Sequence, residues 1–446
     1  MHRRVNTLPG ILLAMTLAMS ASAADNVKLI VLDPGHFHAS LVQKDMYGGV
    51  DPTVSVYAPM GPEVLDYLNR VAAFNMRADH PTAWNIELHA GPDFFERMLR
   101  EHPGNVVVLA GRNRPKLDRI EASVGAGLNV LADKPWIITS RDLPRLERVL
   151  NQAEQKHLVA YDIMTERYEI TSILEKSLVN DPQVFGKLIE GTEAEPAITA
   201  RSVHHLMKVV AGVPLRRPAW FFDINEQGGG LADVGTHVVD LVQWTVFPSA
   251  MIDYRKDIRI LNSRRWPTVL SRADFERVTG EARFPSPLAS HVNDGSLNYE
   301  CNNALHYTVR GAHVAIDVRW NWESPTGDVY EASFQGSKAR VELRQGAAQH
   351  FVPELYVIPR AGSAAEVSSA LERWLQAMQA SYPGVHLESK SGETHIVIPA
   401  PVRVGHEDHF GQVTSQYFAY LKAPASMPAW EKSNMMVKYF LTTSGN

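Results

Sequence analysis

Between residues 27 and 155, five short apolar runs alternate with five helical patterns, and this alternation constrains the fold most. The runs are residues 27–32, 54–57, 85–89, 106–110 and 129–132. The helical stretches are residues 39–47, 62–73, 92–101, 117–126 and 143–155. Strands joined by helix-length crossovers pair in parallel, and a parallel sheet needs helices on both faces. Such a sheet takes its ligand in the crevice at the carboxyl ends of the strands. Those ends hold residues 33–38, 58–61, 111–113 and 133–136.

A dinucleotide fold places Gly-x-Gly-x-x-Gly in the first turn. Only the middle glycine is present, as Gly35, with Asp33 and His38 where the outer glycines belong. The second strand ends at Ala58 rather than at an acid, and Glu63 lies further on, in the helix. Close backbone approach to a pyrophosphate is still expected around Gly35, His36, Phe37 and His38. Asn113, Asp133 and Pro135 complete the candidate cofactor residues at the neighbouring strand ends. Lys134 ends the fifth strand, where a lysine can orient a substrate hydroxyl and share in its deprotonation.

From residue 159 the pattern changes. A strand at 159–163 and a helix at 170–180 are followed by strands at 306–310, 313–321, 330–335, 339–344 and 355–359. Their connections are too short for helical crossovers, so a mainly antiparallel open sheet is expected. Later helices are expected at 364–381, 410–421 and 434–440, with residues 383–392 as a loop. The fold class is therefore α/β: a doubly wound parallel sheet over residues 25–158, then an α+β domain over 159–446.

Within the second part, Gly228, Gly229 and Gly230 precede Leu231, Val234, Val238 and Leu241 at helical spacing. Asp233 and His237 lie four apart and share one face of that helix, and Asp240 is placed on the same side. A carboxylate and an imidazole presented together suit proton transfer. His205, Lys208, Arg217 and Trp220 are the candidate substrate residues, since Trp faces suit sugar rings and Arg suits hydroxyl or carboxylate groups.

Residues 1–23 read as an export signal. Arg3 and Arg4 are followed by an apolar run too short to span a bilayer, then Ala21-Ser22-Ala23, with cleavage expected after Ala23. The paired arginines match the twin-arginine context poorly, because no Phe or Leu follows at the usual distance, so Sec-type export is expected, giving a periplasmic or secreted protein. Losing Arg3 and Arg4 takes the net charge from −5 to −7, which argues against a nucleic-acid partner. Cys301 is the only cysteine, so no internal disulfide can form. The histidine pairs His36/His38, His204/His205 and His406/His409 match no strong metal signature, and no metal site is expected.

Two motifs together carry a family resemblance. Asp133-Lys134-Pro135 is close to a Glu-Lys-Pro motif, and residues 228–240 supply the second. On these, and on the order of elements from about 27 to 345, the chain resembles the glucose–fructose oxidoreductase, inositol dehydrogenase and MocA family. That resemblance implies a Rossmann-like first domain, an open-sheet second domain and hydride exchange with NAD or NADP. It implies that His237 is the general acid/base, that Lys134 polarises the same substrate oxygen and that Asp233 orients the substrate or the imidazole. The expectation is an exported oxidoreductase of a sugar or polyol, with a tightly held cofactor and a homo-oligomer formed through the open sheet. Two alternatives stay open. One is glycosidic cleavage assisted by NAD on the same fold. The other is a sugar-binding protein that has lost the nucleotide.

Overall fold

The computed structural model describes residues 27–210, 213–214, 216–324 and 326–444. The expected export signal lies outside the described residues. Among those described, no helix is long and apolar enough to cross a membrane.

The first sheet has six strands, all parallel: β1 (Leu29–Leu32), β2 (Thr53–Ala58), β3 (Asn85–Ala90), β4 (Val106–Leu109), β5 (Asn129–Asp133) and β6 (Ala160–Ile163). Their order is β3-β2-β1-β4-β5-β6, so the topological switch lies between β1 and β4. Helices α1 (His38–Leu41), α2 (Pro62–Met76), α3 (Phe94–Glu101), α4 (Lys116–Gly125) and α5 (Leu143–Gln155) make the connections. Side chains alternate across the sheet with the period of two that a strand requires. Leu29 and Val31 pack with Val64 and Tyr67 of α2, while Ile30 and Leu32 pack with Ile120 of α4 and Leu146 of α5.

Two expectations are corrected here. The strand expected at 159–163 to open the second domain is β6, hydrogen-bonded to β5, so the parallel sheet runs past residue 158. The helix expected over 39–47 stops at Leu41. The carbonyl of Gln43, which a longer helix would use internally, accepts instead from Trp84 Nε1 at 2.7 Å.

Helix α6 (Ile170–Val179) leads to the second sheet. Its strands are β7 (Ile198–Met207), β10 (Ile258–Leu270), β11 (Val292–Asn293), β12 (Ser296–Val309), β13 (Ala312–Glu323), β14 (Val329–Gln335), β15 (Ala339–Gln345), β16 (Glu354–Pro359), β17 (His386–Lys390) and β18 (Glu393–Val397). A small hairpin, β8 (Val209–Val210) and β9 (Val213–Pro214), stands apart from it. The order is β10-β12-β13-β7-β14-β15-β16-β18-β17, with β11 on β12, and every pair is antiparallel except β7 with β13. β17 falls in the stretch expected to be a loop. β10 was not anticipated: it is an edge strand of mixed polarity, without the clean alternation that marks a half-buried strand.

The remaining helices are α7 (Ile224–Gln227), α8 (Gly229–Val246), α9 (Arg272–Thr279), α10 (Ala364–Met378), α11 (His406–Lys422) and α12 (Trp430–Thr442). The glycines before α8 serve close packing as well as a left-handed backbone. A Cβ on Gly230 would fall 1.8 Å from the Cys301 carbonyl oxygen, so only glycine lets the helix lie against β12. Gly228 takes φ 92°, the left-handed turn that separates α7 from α8. Asn303 Oδ1 then accepts from Leu231 N at 2.9 Å, serving one of the free amides of the first helical turn.

Asp240 does not share the open face of α8. It is buried and accepts from Arg167 at 2.6 and 2.7 Å and from Lys438 Nζ at 3.0 Å. Arg167 also grips Glu431 at 2.9 and 3.0 Å, which ties α8 to α12. Helix α11 returns to the first sheet: Phe410, Val413 and Tyr417 share a core with Val31, Val56 and Val108.

Candidate active site

Lys134 stands at the end of β5, on the residue that begins a cis peptide to Pro135. Its ammonium donates to Asp233 Oδ1 on α8, joining the two domains. Among residues 229–240 only Asp233 and His237 are not fully buried, so they mark the helix face that borders the crevice. Burial pushes the Asp233 carboxyl up, but the Lys134 charge outweighs it and holds the group at about 2. Burial, reinforced by Lys134 and His406, pulls the His237 imidazole well below its ordinary range, so it is a neutral base at neutral pH. Its Nδ1 is buried without a hydrogen-bond partner. Glu166, just beyond β6, is pushed up to about 7 by burial and by Glu169, while Lys134 pulls it back.

The first turn is built tightly. Asp33 is ion-paired with Arg119 at 2.5 Å. A Cβ on Gly35 would meet Gly111 Cα at 3.4 Å, so the turns after β1 and β4 press together at the topological switch. His36 Nδ1 and His38 Nδ1 both face Asp133 Oδ2, at 3.4 and 3.3 Å. Lys116 holds the other oxygen of Asp133 at 2.5 Å. Burial alone would raise the Asp133 carboxyl, but Lys116, His36 and His38 hold it well below the usual range. Phe37 is half-buried, with the Arg70 guanidinium 5.8 Å from its ring centre.

Several candidate residues turn out to be committed inside the protein. Asn113 donates to the Gln227 backbone at 2.9 Å and accepts from Lys116 at 2.8 Å, so it braces the domain interface. Trp220 crosses to the first domain and donates to Glu63 at 2.7 Å, beneath the Arg112 guanidinium at 5.5 Å. Arg217 is anchored on the Leu206 carbonyl at 2.8 Å and lies over Trp320 at 5.0 Å. His205 and Lys208 both engage Asp328, as does His204 at 3.0 Å.

Asp328, Lys116, Glu166 and His406 were not anticipated as site residues. The His406 ring lies 5.8 Å from that of His38, delivered by the N-terminal end of α11. His409 turns inward instead, with Nε2 3.7 Å from Glu169. Asp328 sits 123 residues from His205, and no local spacing joins them.

A parallel nucleotide-type sheet, a strand-end lysine and an Asp–His helix face, joined to an open antiparallel sheet, define an oxidoreductase of the glucose–fructose oxidoreductase, inositol dehydrogenase and MocA type. The family described as "Putative oxidoreductase C terminal domain" matches residues 174–446, and the chain belongs to it. A crystal structure of a "putative oxidoreductase" from Parabacteroides merdae is 45% identical over 94% of this chain and 97% of that chain, with a TM-score of 0.92. GenD2 from gentamicin A biosynthesis, solved with NAD, shares the fold at 16% identity and TM-score 0.55, over 94% of this chain and 93% of that one. A "putative myo-inositol dehydrogenase" from Sinorhizobium meliloti does so at 10% identity and TM-score 0.54, over 93% of this chain and 95% of that one. No curated protein matches the chain in sequence.

Proposed function

We propose that this chain is an exported, nicotinamide-dependent oxidoreductase that exchanges hydride with a carbon bearing a sugar or polyol hydroxyl. The observation that carries the proposal is the pairing of Lys134 with Asp233 beside His237, at the carboxyl edge of the parallel sheet.

The residues present fit NAD or NADP at its reacting end. The crevice lies at the topological switch, and the neutral His237 offers an unpartnered Nδ1. The far end fits less fully, since Glu63 is already engaged by Trp220. When bound, the nicotinamide would accept the hydride. Lys134 would donate to the substrate oxygen and lower the cost of its negative charge. His237 would take the hydroxyl proton, and Asp233 would hold the Lys134 ammonium in place. The Asp328 cluster of His204, His205 and Lys208 supplies polar groups suited to a hydroxyl-rich substrate. The likeness to an inositol dehydrogenase adds support for that substrate class. Export is read from residues 1–23, and a second copy is expected across the open face of the second sheet.

The test is to denature protein isolated from the periplasm and analyse what is released. NAD or NADP in the supernatant is the expected result. Protein free of nucleotide, with no uptake on soaking, overturns the cofactor proposal. It would favour the non-redox sugar binder, for which the engagement of Glu63 by Trp220 is the specific structural support.

A further inference from the structure

One ring nitrogen from each of His36 and His38 and an oxygen of Asp133 lie within 4.8 Å of one another. The two imidazole nitrogens face the same oxygen, Asp133 Oδ2, at 3.4 and 3.3 Å. An N–H donor to a carboxylate settles at roughly 2.7–2.9 Å, so neither contact has the length of a good hydrogen bond. The separations do match another geometry. Ligands about 2.0–2.1 Å from a tetrahedral ion sit about 3.3–3.4 Å from each other. His36 Nδ1 is also buried without a hydrogen-bond partner.

The carboxylate is held from behind. Lys116 Nζ grips Asp133 Oδ1 at 2.5 Å, and it also reaches Asn113 Oδ1 at 2.8 Å and the Asp133 carbonyl at 3.1 Å. That support leaves Oδ2 as the oxygen turned to the histidines. Groups that fix a ligand's orientation in this way commonly accompany metal sites. His36 keeps 30% of its side chain exposed, so the cluster opens on one side.

We infer that His36, His38 and Asp133 bind a divalent transition-metal ion of the zinc class. Two imidazoles and one carboxylate form a donor set that suits zinc. Three protein ligands leave a fourth position for water or for an oxygen of a molecule in the crevice. The inference stands apart from hydride transfer by Lys134 and His237, because it needs neither residue.

The experiment uses tag-free mature protein. Metal content is measured as isolated, then the protein is stripped with a chelator and titrated with Zn2+ and Co2+. One equivalent bound, with the visible spectrum of tetrahedral Co2+, is expected. His36→Gln, at the open side of the cluster, should weaken Zn2+ binding at least about tenfold while the circular dichroism spectrum stays that of the wild type. His38→Ala should do the same, and Asn113→Ala should weaken binding by about tenfold through Lys116. His306→Ala, far away on β12, should leave binding unchanged. Absence of stoichiometric binding overturns the inference, as does binding that His36→Gln and His38→Ala leave intact. Nucleotide release is measured separately, so failure of the cofactor proposal leaves this test standing.

Discussion

Lys134 and Asp233 are 99 residues apart in the chain and ion-paired in the fold, one at the end of a parallel strand and the other on the helix that borders the crevice. Neither domain alone has the pair. The alignment of the site therefore depends on how the two domains are locked together, and Asn113 on Gln227 and Trp220 on Glu63 do part of that locking.

Replacing Lys134 by Ala should lower kcat on the order of 10²–10⁴-fold, the usual worth of a positioned proton-handling group. The far-ultraviolet spectrum checks that the fold survives, because Lys134 is buried, with 8% of its side chain exposed, and its loss leaves the Asp233 carboxylate without its partner. Lys134→Arg should fail to restore the rate, since a planar guanidinium cannot take the place of a compact ammonium against Asp233. Steady-state kinetics with a panel of sugars and polyols is the measurement. Full activity in the Ala variant would remove Lys134 from the chemistry.

Glu175 gives a pH-dependent outcome. Its carboxyl is buried, one oxygen has no hydrogen-bond partner, and burial pushes it up to about 8. The unfolded chain holds its proton only to about 4.3. Stability from the protonated form is thus complete below that value and is lost as pH rises toward 8, because the unfolded state releases the proton first. Glu175→Gln removes this loss. Its melting temperature should exceed that of the wild type at pH 8 by more than at pH 5. Equal differences at the two values would contradict the burial argument.

Gly230 and Gly125 should respond to alanine in opposite directions. A Cβ at Gly230 lands 1.8 Å from a backbone oxygen, whereas one at Gly125 meets nothing within 4 Å. Gly230→Ala should destabilise by roughly 1–3 kcal/mol or more and displace α8 with its Asp233 and His237. Gly125→Ala, at the end of α4, should be neutral or stabilise by up to about 1 kcal/mol. Urea unfolding of both variants checks the sign of each.

Much of this arrangement was legible in the residues, and what was missed has a common cause. The parallel sheet showed because its strands, all but the exposed edge strand β3, are short buried runs between helical patterns. Lys134, Asp233 and His237 showed because each sits in a compact local motif. Asp240 was misplaced because three-residue spacing gives a helix face but not what lies against it. Here that is Arg167 and Lys438. Asp328 and Lys116 escaped because their meaning lies in partners on other elements. Lys116 reads as a surface lysine at a helix start until β5 brings Asp133 beneath it. β10 escaped because an edge strand need not alternate.

Helix α11 closes one face of the first sheet with residues 410–420, although that sheet is complete in sequence by Ile163. As the chain is made, about 250 residues must follow before Phe410 and Tyr417 can cover Val31 and Val56. Until then the part of that face that α2 leaves bare is open to chaperones, to proteases and to other copies of the chain. The first half of this protein is therefore a poor candidate for independent expression. Its folding is governed by the arrival of its last helices, and a lesion near the C-terminus should appear first as aggregation of the N-terminal half.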